Sequence, residues 1–384
     1  MRFEFATTDR IIFGSGTVGE VGAVAEDMGR KALVVTGSHV ERAAPVLAAL
    51  EDAGIAAVTF GVAREPTTEL VREGVELARA EGCDLVVGIG GGSVVDAGKA
   101  IAALLINGGV PLDYLEVIGR GQPITKRSAP CIAVPTTAGT GAEVTRNAVL
   151  ASPEHHVKVS LRSPLILPHV AIVDPELTHS VPPEVTASTG LDAFTQVVEP
   201  YVSRLANPLT DTICREGIMR ASDALPRAYE NGDDVEARRD MALASLLGGL
   251  ALANARLGAV HGFAGVLGGM YEAPHGVICG RLLPFVMEAN VRALMDREPE
   301  NPALERYAEI GVILTGKIEA GAADGVAWVK KLSDKLDVPG LSDYGVTPED
   351  FPEIIDKSQR SSSMKGNPIE LTREELAEIL TKAL

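Results

Sequence analysis

Asp84-Leu-Val-Val-Gly-Ile-Gly-Gly-Gly-Ser-Val-Val-Asp96 decides the fold of this chain. An unbroken apolar run, 84–89, enters three glycines and a serine, and a helical pattern over Val94 to Leu105 follows without a linker. A strand that is apolar at every position is covered on both faces, which is the condition of a parallel sheet. Glycines between such a strand and a helix bring backbone N–H groups close to a diphosphate at the helix N-terminus. Gly90, Gly91, Gly92 and Ser93 are therefore candidate cofactor contacts, although the full GxGxxG fingerprint is absent and a tight strand–helix turn would also need glycines.

Working outward, the same alternation repeats. Lys31 to Thr36 reads as a strand, followed by a turn at Gly37 and a helix through Leu50. Ala56 to Phe60 is a second strand, and Thr67 to Glu81 an amphipathic helix opened by Pro66 and a threonine cap. Pro130 to Val134 and Val170 to Val173 complete the β-rich part. After the first of these comes Pro135-Thr-Thr-Ala-Gly-Thr-Gly-Ala-Glu-Val-Thr145, rich in hydroxyls and free backbone donors. Two polar, glycine-bearing loops after separate strands favour a dinucleotide over a pair of turns. The loop Thr36-Gly37-Ser38-His39 has no carboxylate to hold a ribose 2′-hydroxyl and no arginine for a 2′-phosphate, so NAD and NADP both remain open.

Beyond Pro182-Pro183 the pattern becomes helix after helix: Val185 to Ser203, Leu209 to Tyr229, Glu236 to Leu257 and more. The expected organisation is an α/β dinucleotide-binding domain with a parallel sheet over 1–182 and an all-helical domain over 183–384. A chain of 384 residues with 46% apolar content supports two cores. The formal charge of −17 argues against nucleic acid, which needs a concentrated basic surface. No stretch reads as a membrane span; the most apolar, Met241 to Val260, contains Asn254 and Arg256 and reads as a buried helix. The N-terminus has no signal-peptide core, and Cys83, Cys131, Cys214 and Cys279 show no disulfide spacing. They read as buried thiols acting as small apolar residues in a cytoplasmic protein.

In the helical half, Asp192 and Gln196 stand four apart and share a helix face. His261 and His275 lie in glycine-rich surroundings. An aspartate and two histidines suit a divalent metal that polarises an alcohol oxygen, but the spacings match no generic zinc motif, and either histidine alone could be a satisfied core residue.

The order of GGGSVVDAGKA, PTTAGTGAEVT, GLDAFTQVVEPYVS, GAVHGF and PHGVICGRLLP resembles the iron-type (group III) metal-dependent alcohol dehydrogenases, from Ile12-Phe13-Gly14 to Gly366-Asn367-Pro368. The resemblance implies a dehydroquinate synthase-like architecture with nicotinamide, metal and substrate in a cleft between a dinucleotide domain and a helical domain. It implies that Gly91, Gly92, Ser93, Thr136, Thr137, Thr140 and Lys158 line the cofactor, and that Asp96 corresponds to the family's aspartate near that loop. It maps the metal ligands (iron or zinc) onto Asp192, Gln196, His261 and His275, with Gln196 where the family usually has histidine, and Gly265 where members often have a relay histidine. By family position Asn147, Arg146 and Lys365 approach the substrate, the two cations suiting an anionic tail. A homo-oligomer is also implied.

Two readings of the departure follow. Either Gln196 is a weaker ligand in a metal site, or His261 and His275 act without metal as hydrogen-bond donors to the substrate oxygen. The first is preferred, because Asp192 would otherwise be a costly buried carboxylate. The expected reaction is hydride transfer between NAD(P) and a small alcohol or aldehyde, with Asp192, His261 and His275 as the catalytic set. The alternatives are a metal-independent reductase of a keto or unsaturated acid, resembling maleylacetate reductase, a sugar-phosphate enzyme on the related fold, which would carry more phosphate-binding cations, and a binding protein without activity.

Overall fold

The computed structural model describes residues 2–155 and 157–384. Its six-stranded sheet runs β1 (Arg10–Phe13), β8 (Val170–Val173), β5 (Cys131–Pro135), β4 (Leu85–Gly90), β2 (Lys31–Thr36), β3 (Ala56–Gly61), with all neighbours parallel. The strand that opened the sequence reading, β4, is buried at all six positions and lies in the sheet interior. Its alternate residues feed opposite cores. Val86 joins Leu33 and Val35 on one face, with Ile101 and Val75 above them. Leu85, Val87 and Ile89 join Val34 and Ile132 on the other, with Val46 and Leu50.

Helices α1 (Val21–Glu26), α2 (Ala44–Asp52), α3 (Thr68–Ala80), α4 (Gly92–Asn107) and the short α5 (Pro111–Tyr114) accompany these strands. The Thr67 hydroxyl caps α3 by accepting from Leu70 N at 3.1 Å. Helix α4 starts at Gly92, two residues before its apolar pattern does, because the glycine turn itself is already helical. Two features lie outside the sequence reading. Strand β1 is a four-residue, half-exposed edge, too short to show alternation. Strands β6 (Asn147–Ser152) and β7 (Val157–Arg162) form a separate antiparallel hairpin, with Ala148, Leu150 and Leu161 turned into the core.

Lys99 explains how the hairpin is tied down. Its ammonium is fully buried on α4, paired with Asp96 at 2.8 Å and donating to Ala142 O, Thr145 Oγ1 and Asn147 O. Asp96 in turn accepts from Val149 N at 3.0 Å on β6. A buried charge is tolerated when paired and hydrogen-bonded, as here.

The helical residues comprise α6 (Pro183–Val202), α7 (Pro208–Glu230), α8 (Val235–Ala255), α9 (Ala259–Met270), α10 (His275–Arg297), α11 (Ala303–Thr315), α12 (Ala322–Lys335), α13 (Phe351–Gln359) and α14 (Arg373–Ala383). One apolar core, including Leu191, Phe194, Ile218, Phe263, Leu282 and Ile310, runs through them. The chain separates into two compact units, Ala6–Thr137 with Gly141–Ser180, and Val181–Leu384 with Ala138–Thr140 and residues 2–5. The sequence reading drew one boundary at 182; the structure adds the return of Ala138–Thr140 to the helical unit. Among the described residues no single helix is long and apolar enough to cross a membrane. The stretch from Met241 to Val260 is split between α8 and α9, which meet at 101°.

One buried acid makes stability depend on pH. Burial pushes the Glu143 carboxyl up to about 7, against the smaller opposing effects of a backbone hydrogen bond and the Lys99 charge. An acid whose folded pKa is raised stabilises fully below its unfolded pKa, and that contribution is lost as pH rises through the folded value. The wild type should lose about 2 kcal/mol of unfolding free energy between roughly pH 5 and pH 7 relative to Glu143→Gln. Urea unfolding of both proteins across this range checks it; parallel pH profiles would refute it.

Candidate functional site

Three loops leave the C-terminal ends of adjacent strands β2, β4 and β5. They carry Gly37 and Ser38, then Gly90 to Ser93, then Thr136 and Thr137. The chain goes from β2 outward to β3 and returns to β4 on the other side of β2, which makes this the topological switch point where open α/β sheets bind ligands. Gly91 caps α4 with no side chain of its own, and a Cβ there would lie 3.5 Å from Thr137 Oγ1. The start of α4 thus faces a threonine loop with unspent N–H donors, the arrangement that receives a diphosphate.

The other residues assigned to the cofactor are placed differently. Asp96 is engaged by Lys99 and Val149 N, within the anchor of the hairpin. Lys158 is on β7, 3.4 Å from Glu65. Thr140 lies in the short segment grouped with the helical unit. Of the residues assigned to substrate, Arg146 and Asn147 precede and open β6, and Asn147 gives its carbonyl to Lys99. Lys365 is exposed on a 3-10 turn, Met364–Gly366, and a Cβ at Gly262 would come within 2.8 Å of Met364 Cε, so this turn packs beside His261.

The second site is built from three helices of the helical unit. On α6, Asp192, Gln196 and Glu199 recur at helical spacing and are all buried. On α9, His261 lies in the first turn. On α10, His275 is the first residue and Cys279 stands one turn later. Two glycines set the approach of α10 to α6. A Cβ at Gly276 would sit 1.8 Å from Ser188 O, and one at Gly280 would sit 2.5 Å from Leu191 Cδ1. No side chain fits at Gly276, so the helices meet at backbone distance there, while at Gly280 the Leu191 side chain occupies the space a larger residue would need; His275 and Cys279 thus arrive at Asp192.

His261 Nε2 is 3.1 Å from Asp192 Oδ1, and His275 Nε2 is 3.9 Å from the same oxygen. Cys279 Sγ lies 3.9 Å from that oxygen and 3.8 Å from His261 Nε2. One donor atom from each of Asp192, His261, His275 and Cys279 falls within 4.8 Å of every other. His275 is the open edge of the cluster, with 41% of its side chain exposed. Behind His261, Glu199 Oε2 meets Nδ1 at 2.7 Å, while Oε1 accepts from Val260 N at 2.7 Å. That carboxylate fixes the Nδ1–H tautomer and aims the Nε2 lone pair at the cluster, as outer carboxylates do for metal-binding histidines.

Opposite charges hold one another in the cluster. Burial alone would raise the Asp192 pKa, but hydrogen bonds from His261 and Gln196 and the nearby imidazoles hold it below its ordinary value. Burial opposes charge on His261, yet Cys279, Asp192 and Glu199 together raise its pKa well above the usual value. His275 shifts up for similar reasons, against its own burial and the charge of His261. The Cys279 thiol is held down by the two imidazoles in spite of burial. The donor chemistry of carboxylate, two imidazoles and thiol fits a divalent metal.

Gln196 fits less directly. Its Nε2 donates to Gly139 O at 3.3 Å, while Oε1 is buried with no hydrogen-bond partner. Glu199 and Cys279 are not among the site residues expected from the sequence. Their signals were helical offsets, seven residues after Asp192 and four after His275. Cys279 is buried as expected of a small thiol, but within the donor cluster.

Residues 8–175 match the family described as iron-containing alcohol dehydrogenase, and residues 186–384 match the C-terminal part described as Fe-containing alcohol dehydrogenase family. Curated relatives include a choline dehydrogenase of Bacillus subtilis, 37% identical over 97% of this chain and 92% of its own. A 1,3-propanediol dehydrogenase of Klebsiella pneumoniae is 36% identical over 99% of this chain and 98% of its own. The crystal structure of a 1,3-propanediol oxidoreductase superposes with a TM-score of 0.93 at 34% identity, covering 100% of both chains.

Glu199→Gln tests the orienting role. The amide oxygen can still accept from Val260, but its NH2 group would face Nδ1 and drive the proton to Nε2, away from a ligating form. Affinity for Zn²⁺, read by chelator competition, should fall about 10- to 100-fold. Unchanged affinity would show that Glu199 serves packing alone.

Proposed function

We propose that this chain, which belongs to the iron-containing alcohol dehydrogenase family, works through a divalent-metal centre held by Asp192, His261 and His275. It is an oxidoreductase acting on alcohol groups and interconverting an alcohol and an aldehyde with a nicotinamide cofactor. Reduction of a keto or unsaturated acid without metal is not favoured, since the relatives are alcohol dehydrogenases. The observation that carries the metal reading is the buried cluster of one carboxylate and two imidazoles converging within 4.8 Å.

A divalent metal bound there supplies a Lewis acid that favours the alkoxide of the substrate. The protein does the rest by placement. Asp192 neutralises charge at the base of the site, and Glu199 keeps His261 in its ligating tautomer. His275, half exposed, forms the side from which substrate enters. Gly265 leaves open space one turn after His261, so that position contributes no side chain to accept the alcohol proton. Gly37, Ser38, Gly90 to Ser93, Thr136 and Thr137 hold the dinucleotide, with the diphosphate at the start of α4. Thr140, Lys158 and Asp96 complete this set in our reading, with Asp96 acting through its anchor on Lys99.

Arg146, Asn147 and Lys365 face the substrate in this reading; the exposed Lys365, on a turn packed beside His261, favours substrates with an anionic tail. The four cysteines are unpaired and buried, which supports a reducing, cytoplasmic setting. A homo-oligomer is retained from the family resemblance.

Protein purified without chelator should carry bound metal, lose aldehyde reduction with NADH or NADPH on chelation, and regain it with Fe²⁺ or Zn²⁺. Asp192→Asn should lower kcat/KM by at least about a hundredfold, since Lewis-acid stabilisation is worth several kcal/mol. Full activity in protein free of metal would overturn the reading.

A further inference from the structure

Asp192, His261 and His275 give the centre three protein donors, and Cys279 is the fourth donor that reaches the same point. We infer that the Cys279 thiolate fills that place and turns the centre toward zinc rather than iron. This rests on the metal-centre reading above.

Position is the first reason. Cys279 follows His275 by one turn of α10, so both project from the same face. The Gly276 and Gly280 contacts press that face onto α6, and Sγ stands 3.9 Å from Asp192 Oδ1 and 3.8 Å from His261 Nε2. These are separations across which two donors can share one ion. Among the described residues this is the one group of three or more histidine, cysteine or acidic side chains so arranged. Cys83, Cys131 and Cys214 belong to no such group.

The second reason is what Gln196 already does. Its amide nitrogen donates to Gly139 O at 3.3 Å, and its buried Oε1 is a neutral oxygen, a weaker donor to a divalent ion than a thiolate. The fourth place therefore falls to the thiol across the cluster.

Donor chemistry then sets the metal. Carboxylate, two imidazoles and a thiolate are donors that zinc takes, the soft thiolate adds selectivity that an all-nitrogen and oxygen set lacks, and the substrate oxygen would enter as a fifth ligand. Ionised Asp192 and Cys279 together balance the charge of a divalent ion, with the Glu199 carboxylate outside this set, behind His261.

Co²⁺ loaded into the full-length apoprotein reads the thiolate directly, independently of turnover. Wild type should show an intense near-ultraviolet thiolate-to-cobalt charge-transfer band, retained in Gln196→Ala and absent from Cys279→Ser, which should still bind Co²⁺. In anaerobic competition between Fe²⁺ and Zn²⁺, wild type should retain zinc and Cys279→Ser should shift toward iron. Bound Co²⁺ without the band in wild type would overturn the thiolate assignment and leave the metal centre standing. No bound Co²⁺ would overturn both. The wild-type spectrum decides even if the serine variant fails to fold.

Discussion

Asp192 is a carboxylate with 3% exposure in the middle of a helical core, and such a group cannot stay ionised without positive partners. Removing a carboxylate from water costs several kcal/mol even after relaxation, far more than a neutral side chain would. Much of the helical unit answers that cost. Helix α6 supplies the acid, α9 and α10 supply two imidazoles, and Glu199 holds one imidazole in orientation. The packing that makes this feasible is itself unforgiving at Gly276, where any Cβ would run into the Ser188 backbone of α6.

The nicotinamide half obeys a different constraint. There the sheet must present backbone donors to an anion while keeping its own strands dry. A β4 strand buried at every position, followed at once by glycines and a helix start, meets both conditions. Lys99 and Asp96 show how the loops around it are held without side chains in the phosphate path. Their pairing fastens α4 to the segment after β5 and to the hairpin, leaving the glycine turn free.

The sheet was legible because its strands are apolar throughout and its helices are punctuated by Pro66, Thr67 and the glycine turn. Strand β1 escaped because four half-exposed residues give no periodicity. The hairpin did show alternating burial, Ala148 and Leu150 against Asn147 and Val149, but a short two-strand insertion interrupts the strand–helix rhythm. At the metal site, Asp192, His261 and His275 stood out by residue type. Glu199 and Cys279 did not, since an acid on a helix reads as solvated and a lone cysteine as packing. Only the crossing of α6, α9 and α10, which no local pattern encodes, shows that Glu199 backs His261 and that Cys279 enters the donor cluster. Family resemblance placed Gln196 among the ligands; in the structure its amide nitrogen donates to Gly139 O.

The central claim is that one divalent ion sits among Asp192, His261 and His275. Anomalous diffraction from crystals of the chain, recorded on both sides of the iron and zinc absorption edges, tests it most directly. A peak within bonding reach of Asp192 Oδ1 and the Nε2 atoms of His261 and His275 is the result expected. An empty cluster in crystals of protein that remains fully active without added metal would contradict it.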